Sequence, residues 1–167
     1  RRIEDFSPSE IFQFVDKDKK KFKRMTRSQY YSSANFKDFM EYLKQAERQI
    51  MFFSGNLTFT NYSYQGKIAK DILEELGKRK ISTKIISRIE LAGINNVENA
   101  LSINKRIGYD AIELRHCYHP LRASIIDDKV AVLKEVLDPR NYAGDELKHE
   151  TYILYYIYDK DWIEWLQ

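Results

Sequence analysis

Apolar positions recur along this chain first at spacings of three and four and then at spacings of two, so helices and short strands are predicted in alternation. Ser7-Pro8-Ser9-Glu10 has the form of a capping box, with Pro at the first helical position, and predicts a short helix through Val15. Asn35 is placed to cap a helix over Phe36 to Gln49, whose apolar face is Phe36, Phe39, Met40, Leu43 and Ala46. Ile50-Met51-Phe52-Phe53 reads as a buried strand running out into a loop at Ser54-Gly55-Asn56. A helix over Gly66 to Lys80, with Ile68, Ile72, Leu73 and Leu76 as its stripe, leads to a strand at Thr83 to Ser87. A further helix over Asn96 to Ile107, closed by Gly108, leads to a strand at Ala111 to Leu114. This alternation predicts βαβ units and an α/β fold: a mixed, mainly parallel sheet flanked by helices on both faces.

After His119-Pro120 the pattern changes. Arg122 to Ile126 and Val130 to Leu133 flank Asp127-Asp128-Lys129, two β-branched runs joined by a polar turn, which predicts a hairpin. Asp138-Pro139 to Gly144 reads as loop. Thr151 to Tyr158 is apolar or aromatic on both faces and suits a central strand. Asp161 to Gln167 starts a final helix bearing Trp162, Ile163, Trp165 and Leu166.

Composition narrows the class. With 167 residues, 43% apolar and 14% aromatic, the chain has the size and apolar content of one folded domain, which excludes a wholly disordered chain. Cys117 is the single cysteine, so no internal disulfide framework is expected, and no apolar run reaches the roughly 18–20 residues of a membrane helix. The first residue is Arg1 and no secretion leader is visible, so a cytoplasmic piece of a longer protein is expected, with no membrane partner.

Charge is unevenly placed. The net charge is +3, but Lys17 to Arg27 holds seven cations (Lys17, Lys19, Lys20, Lys21, Lys23, Arg24, Arg27) against Asp18, a local +6 that leaves the rest of the chain at −3. Such a run reads either as a solvated linker or as a phosphate-contacting arm, in which Lys19, Lys20, Lys21, Lys23, Arg24 and Arg27 would contact nucleic acid. The expected organisation is therefore a helix and basic arm over 1–34 and an α/β domain over 35–167.

The order of elements, with the small polar loop Ser54-Gly55-Asn56 and the hairpin Pro120-Leu121-Arg122-Ala123-Ser124-Ile125-Ile126-Asp127-Asp128-Lys129-Val130-Ala131-Val132-Leu133, resembles one half of the phospholipase D superfamily from Phe36 to Tyr158. In that superfamily the hairpin carries HxKxxxxD followed by Gly-Ser, and two copies meet across a two-fold axis. One histidine attacks phosphorus, the partner copy's histidine protonates the leaving oxygen, lysines hold the anion and aspartates orient the imidazoles. The resemblance places those positions here on Pro120, Arg122 and Asp127, with Lys134 and Glu135 where Gly-Ser would stand. The basic and acidic positions survive, and the nucleophile does not.

His119 lies one residue from the lost nucleophile, and a one-residue shift in a strand turns a side chain to the opposite face. His119 and Asp127 are the candidate catalytic residues should cleavage persist. Within the superfamily the chain looks most like the effector domains of TrmB-type transcription regulators, mostly archaeal, in which a winged helix precedes a degenerate half. That resemblance implies a non-catalytic domain that binds a small polar or anionic ligand through His119, Arg122, Asp127 and Glu135. It also implies a homodimer, with DNA bound by a domain outside these residues and no cofactor or metal. Alternatives remain open: a phosphodiesterase or nuclease with a relocated histidine, or a nucleic-acid-binding module using the basic arm. Arg122 and Asp127 also suit a strand ion pair or a turn cap. His116, Cys117 and His119 lack an evident fourth ligand for a metal.

Overall fold

Alternation within the predicted strands places one set of apolar side chains on each side of a sheet, and the computed structural model, which describes residues 7–144 and 146–167, uses both sets. The elements are α1 (Ser9–Phe12), β1 (Lys20–Thr26), α2 (Arg27–Tyr30), α3 (Ser33–Lys44), β2 (Gln49–Ser54), β3 (Ser63–Tyr64), β4 (Lys67–Ile68), α4 (Ala69–Lys78), β5 (Ser82–Ser87), α5 (Ile94–Ile107), β6 (Ile112–His116), β7 (Ala123–Ile126), β8 (Val130–Leu137), β9 (Thr151–Ile157) and α6 (Lys160–Leu166). Seven strands form one sheet in the order β1-β9-β8-β7-β2-β5-β6, and β3-β4 form a separate ribbon.

The expected α/β class and mixed sheet are present. Parallel pairing joins β2 to β5 and β5 to β6, where α4 and α5 serve as crossovers; β7, β8, β9 and β1 add antiparallel strands. On one face Ile50, Phe52, Ile85, Ile112, Leu154 and Tyr156 pack against Met40 and Leu43 of α3, Ile72, Leu73 and Leu76 of α4, and Val97 and Ile103 of α5. On the other, Ile125, Ala131, Leu133, Tyr155 and Ile157 pack against Val15 and against Ile163 and Leu166 of α6. β9 lies between β8 and β1 with apolar side chains on both faces, as its sequence predicted. Gly77 sits where α4 and α5 approach: a Cβ there would stand 2.9 Å from Ile107 Cδ1 and 3.2 Å from the Ala111 Cβ. Gly108 ends α5 in the left-handed conformation its sequence position predicted.

Two expectations about the N-terminal part change. Helix α1 stops at Phe12, and the Ser7 hydroxyl donates 2.7 Å to Glu135 Oε1 on β8 in addition to its weak 3.3 Å contact with the Ser9 amide. The basic run is ordered strand rather than linker: Lys20 to Thr26 pair residue for residue with Ile157 to Thr151, making β1 the sheet edge. Four of its lysines are engaged locally. Lys19 pairs with Asp159 at 2.9 Å, Lys23 with Asp38 at 2.7 Å, Lys20 Nζ donates 2.8 Å to the Phe12 carbonyl, and Lys21 Nζ lies 4.9 Å from the Tyr156 ring centroid. Lysine-rich composition is one way a sheet edge avoids pairing with other chains, so the same local charge that suggested an arm suits an edge strand.

The turn between β7 and β8 ties the two halves of the sheet together. Asp127 is buried with a φ of 50°, and its carboxylate accepts the backbone N–H groups of Glu47, Arg48 and Gln49, each at 2.9 Å. Its own amide donates 3.0 Å to the Gln49 carbonyl. Desolvation pushes this carboxyl up, but the three N–H donors and the nearby Lys129 ammonium outweigh it and hold it below the usual value.

Because its folded value is the lower one, Asp127 contributes stability that is present above the ordinary aspartate value of about 3.9 and is lost as pH falls below it. In urea unfolding at pH 7, Asp127→Ala is expected to lose about 2–4 kcal/mol, since three N–H groups lose the one carboxylate that accepts them. That deficit should shrink on acidification, as the wild-type carboxylate is protonated.

Candidate functional site

A concavity opens where the C-terminal ends of the parallel strands β2 and β5 meet the start of β7, and it extends under α3 with a volume of about 370 Å³. Crevices beyond the carboxyl ends of parallel strands are recurrent ligand sites in α/β folds. Its floor is sheet: Phe52, Ser124, Val132, Lys134, Tyr152 and Leu154. Its mouth is loop: Ser54-Gly55-Asn56 after β2, Arg88 and Glu90 after β5, and Arg122 before β7. Ser54 shapes that loop by accepting the Leu57 amide at 3.0 Å, and the Asn96 side chain donates 2.9 Å to the Asn56 carbonyl.

Aromatic rings form the wall. Thr26 and Gln29 make a reciprocal capping box that starts α2 at the end of β1 and sets Tyr30 face to face with Tyr152, centroids 4.4 Å apart. Phe36 meets Tyr62 at a tilt with centroids 4.8 Å apart, and Phe52 meets Phe59 likewise at 4.3 Å. Into this wall projects Lys134 of β8, whose Nζ donates 3.2 Å to the Tyr30 hydroxyl and lies 4.8 Å from the Tyr30 centroid and 5.8 Å from that of Tyr152. Burial, aided by repulsion from the Arg122 guanidinium, depresses its ammonium to about 8, against a weaker opposing pull from Glu150.

Arg88, Arg122 and Lys134 thus line one cavity with Glu90 as the acid at its mouth, and among the described residues none of the three forms an ion pair. A concave site with unpaired cations, hydroxyls and aromatic faces suits a small anionic ligand with an organic body.

The structure brings Arg122 alone of the four expected ligand-binding residues into this cavity. Asp127 lies at the far end of β7 with its carboxylate committed to three amides, so it is a turn cap and has no lone pair aimed at the cavity. Glu135 points to the opposite face of β8, where it accepts the Tyr155 hydroxyl at 2.6 Å and the Ser7 hydroxyl at 2.7 Å. His119 is outside the lining; its Nε2 lies 3.2 Å from the Ile86 carbonyl, its ring meets Phe53 edge-on at 5.7 Å, and its Nδ1 is buried without a partner. His116 accepts the Ile89 amide at 3.0 Å, Cys117 is exposed, and no metal-holding cluster of three or more His, Cys, Asp or Glu side chains occurs among the described residues. No helix among them is long and apolar enough to cross a membrane.

Lys134 and Tyr30 were missed as site residues although each had a signal. In Val130-Ala131-Val132-Leu133-Lys134-Glu135-Val136, period two puts Lys134 on the face of Val132 and Val136, a cation on a core face. Thr26-Arg27-Ser28-Gln29 is itself a capping-box pattern, and marks a helix start just before Tyr30-Tyr31.

No family model matches the chain, and no curated protein matches it. Solved structures do. NucT from Helicobacter pylori aligns with a TM-score of 0.56 at 14% identity, over 88% of this chain and 91% of its own. Nuc from Salmonella typhimurium, a phospholipase D family member, gives 0.54 at 13% over 88% and 89%. TrmBL2, an archaeal chromatin protein whose structure shows a mode of DNA binding, gives 0.54 at 17%; the alignment covers 95% of this chain and 53% of TrmBL2. The fold is therefore the phospholipase D-like fold shared by NucT, Nuc and TrmBL2.

Because the folded Lys134 ammonium titrates at about 8, below the ordinary lysine value of about 10.4, wild-type stability is expected to rise with pH between those values, where the unfolded chain binds the extra proton. At pH 7 Lys134→Met should raise Tm by roughly 2–6 °C, since it removes a desolvated cation, with the gap closing as pH approaches the ordinary lysine value. Differential scanning fluorimetry across pH tests the sign; a variant less stable than wild type at pH 7 contradicts it.

Proposed function

We propose that this chain, with its phospholipase D-like fold, is a ligand-sensing and dimerising domain of a transcription regulator rather than a phosphodiesterase. The observation that carries the reading is the composition of the cavity: cations and aromatic rings line it, and no histidine does. Pro120 stands where the resemblance puts the nucleophile, and His119 is held outside the lining. Without an imidazole in reach of a bound anion there is neither a nucleophile nor a general acid of the kind the family uses, while the means of holding an anion remain.

In this reading Arg122 and Arg88 at the mouth attract and orient an anionic group, the Tyr30, Tyr31 and Tyr62 hydroxyls take polar substituents, and the rings exclude water around the ligand's body. A second copy completes the cleft around the two-fold axis that the resemblance implies, which converts ligand occupancy into a change at the subunit contact. DNA is contacted by a domain outside these 167 residues. The likeness to the DNA-binding protein TrmBL2, which this chain matches over about half of that protein's length, supports that assignment. The basic run contributes less than its charge suggested, because Lys19, Lys20, Lys21 and Lys23 are occupied by Asp159, the Phe12 carbonyl, the Tyr156 ring and Asp38.

The test is a thermal-shift screen of small phosphorylated and carboxylated compounds, with sedimentation measured alongside. A ligand at about 100 times its Kd should add about 2.7 kcal/mol, or roughly 5–10 °C in Tm. Arg122→Glu should abolish the shift, and the protein should sediment as a dimer. A strictly monomeric protein with no ligand response sinks the proposal, as does metal-independent hydrolysis of bis(p-nitrophenyl) phosphate that disappears in His119→Ala.

A further inference from the structure

A site built merely to hold an anion needs cations at its mouth, where they stay hydrated. Lys134 is not at the mouth. It rises from a central strand whose neighbours on the same face, Val132 and Val136, are apolar, and its partner across the ladder is Leu154. The groups facing its Nζ are the stacked rings of Tyr30 and Tyr152, the Tyr30 hydroxyl and the Arg122 guanidinium. Glu150, the acid that acts on it from a distance, is engaged by the Tyr152 hydroxyl. Desolvation and a neighbouring cation are the two devices that turn a lysine into a nucleophile, because both favour the neutral amine with its free lone pair. With the ammonium titrating at about 8, the neutral fraction at pH 7 is on the order of 100 times that of an ordinary lysine.

We propose that Lys134 captures a small anionic aldehyde or ketone as an imine, with the anionic group on Arg122 and the organic body against the tyrosine wall. This rests on the ligand-sensing reading and gives its ligand a chemical class. The lone pair of the neutral Nζ adds to the carbonyl carbon, forming the C–N bond as the carbonyl oxygen takes up a proton. The carbinolamine then expels that oxygen as water while the C=N bond forms. Both hydrogens of the neutral amine end in the water, and no oxidant or reductant is required. Tyr30 stays protonated because burial, with lesser contributions from Tyr62, raises its hydroxyl above the usual value. At 3.2 Å from Nζ, that hydroxyl is placed to pass a proton to the departing oxygen and regain one from the nitrogen. The capture is reversible, so the amine acts as a sensor that discriminates carbonyl compounds from the matching alcohols.

Pyridoxal 5′-phosphate, an anionic aromatic aldehyde, is the probe, and pyridoxine 5′-phosphate, with the same ring and phosphate but an alcohol in place of the aldehyde, is its control. After incubation of the full chain at pH 7 and borohydride reduction, peptide mapping should find the adduct on Lys134 at least about tenfold more often than on any other lysine, as its larger neutral fraction requires. Lys134→Met should lose that adduct while keeping a cooperative melting transition, and the aldehyde should raise the wild-type Tm more than the alcohol does. Adduct spread evenly over surface lysines overturns the inference. Equal Tm shifts from the two compounds with no Lys134 adduct also overturn it and leave the anionic-ligand reading standing. If neither compound shifts Tm or labels Lys134, the inference fails, and the screen with other anions decides the broader reading independently.

Discussion

Three backbone amides, those of Glu47, Arg48 and Gln49, point at one buried carboxylate, and much of the architecture depends on that contact. Here α3 ends and β2 begins, so the chain leaves a helix with N–H groups that have no place in a ladder. Asp127 satisfies them from a turn 78 to 80 residues away in sequence. The contact fixes the register of β7 against β2 and therefore the junction between the parallel strands and the antiparallel ones. Burying a carboxylate is costly in itself, and it is the number of donors, helped by Lys129, that makes the charged form the favoured one.

The same residue explains how a sheet assembled from two kinds of connection keeps a single cavity. β2 and β5 are placed by helical crossovers, β7 and β8 by a tight turn, and the cavity lies between them. Arg122 before β7 and Arg88 after β5 face one mouth because the Asp127 contact holds the other end of the hairpin in register. An acid that could be read as a ligand partner thus acts at a distance of one strand length, by orienting the residues that line the site.

Period-two alternation then divides the chemistry between faces. Lys134 and Glu135 are adjacent in sequence, yet one enters the aromatic cavity and the other meets Tyr155 and Ser7 on the reverse side. Separating them denies the lysine a counter-ion and leaves its amine among rings and beside Arg122. The edge strand β1 shows the opposite arrangement: its lysines are exposed or half-exposed, each close to an acid, a carbonyl or a ring. Clustered charge at a sheet edge is protective, whereas a single charge on a core face is a chemical asset.

Much of the architecture was legible in the residues. Helix stripes such as Ile72, Leu73 and Leu76, the αL glycine at 108, the Asp127 turn and the doubly apolar β9 identify their elements because side-chain periodicity is a local property of the chain. The half-domain resemblance followed from their order. The partners of those elements were less legible. That Lys20 to Thr26 pairs with β9, that Asp127 serves the amides at 47–49, and that Tyr30 lies on Tyr152 over Lys134 are contacts across 78 to 137 residues of sequence, made by groups with several equally good local uses. A run of lysines is the same string as an arm or as an edge. Tertiary structure chose between them by supplying the one set of neighbours that satisfies each donor, acceptor and charge at once.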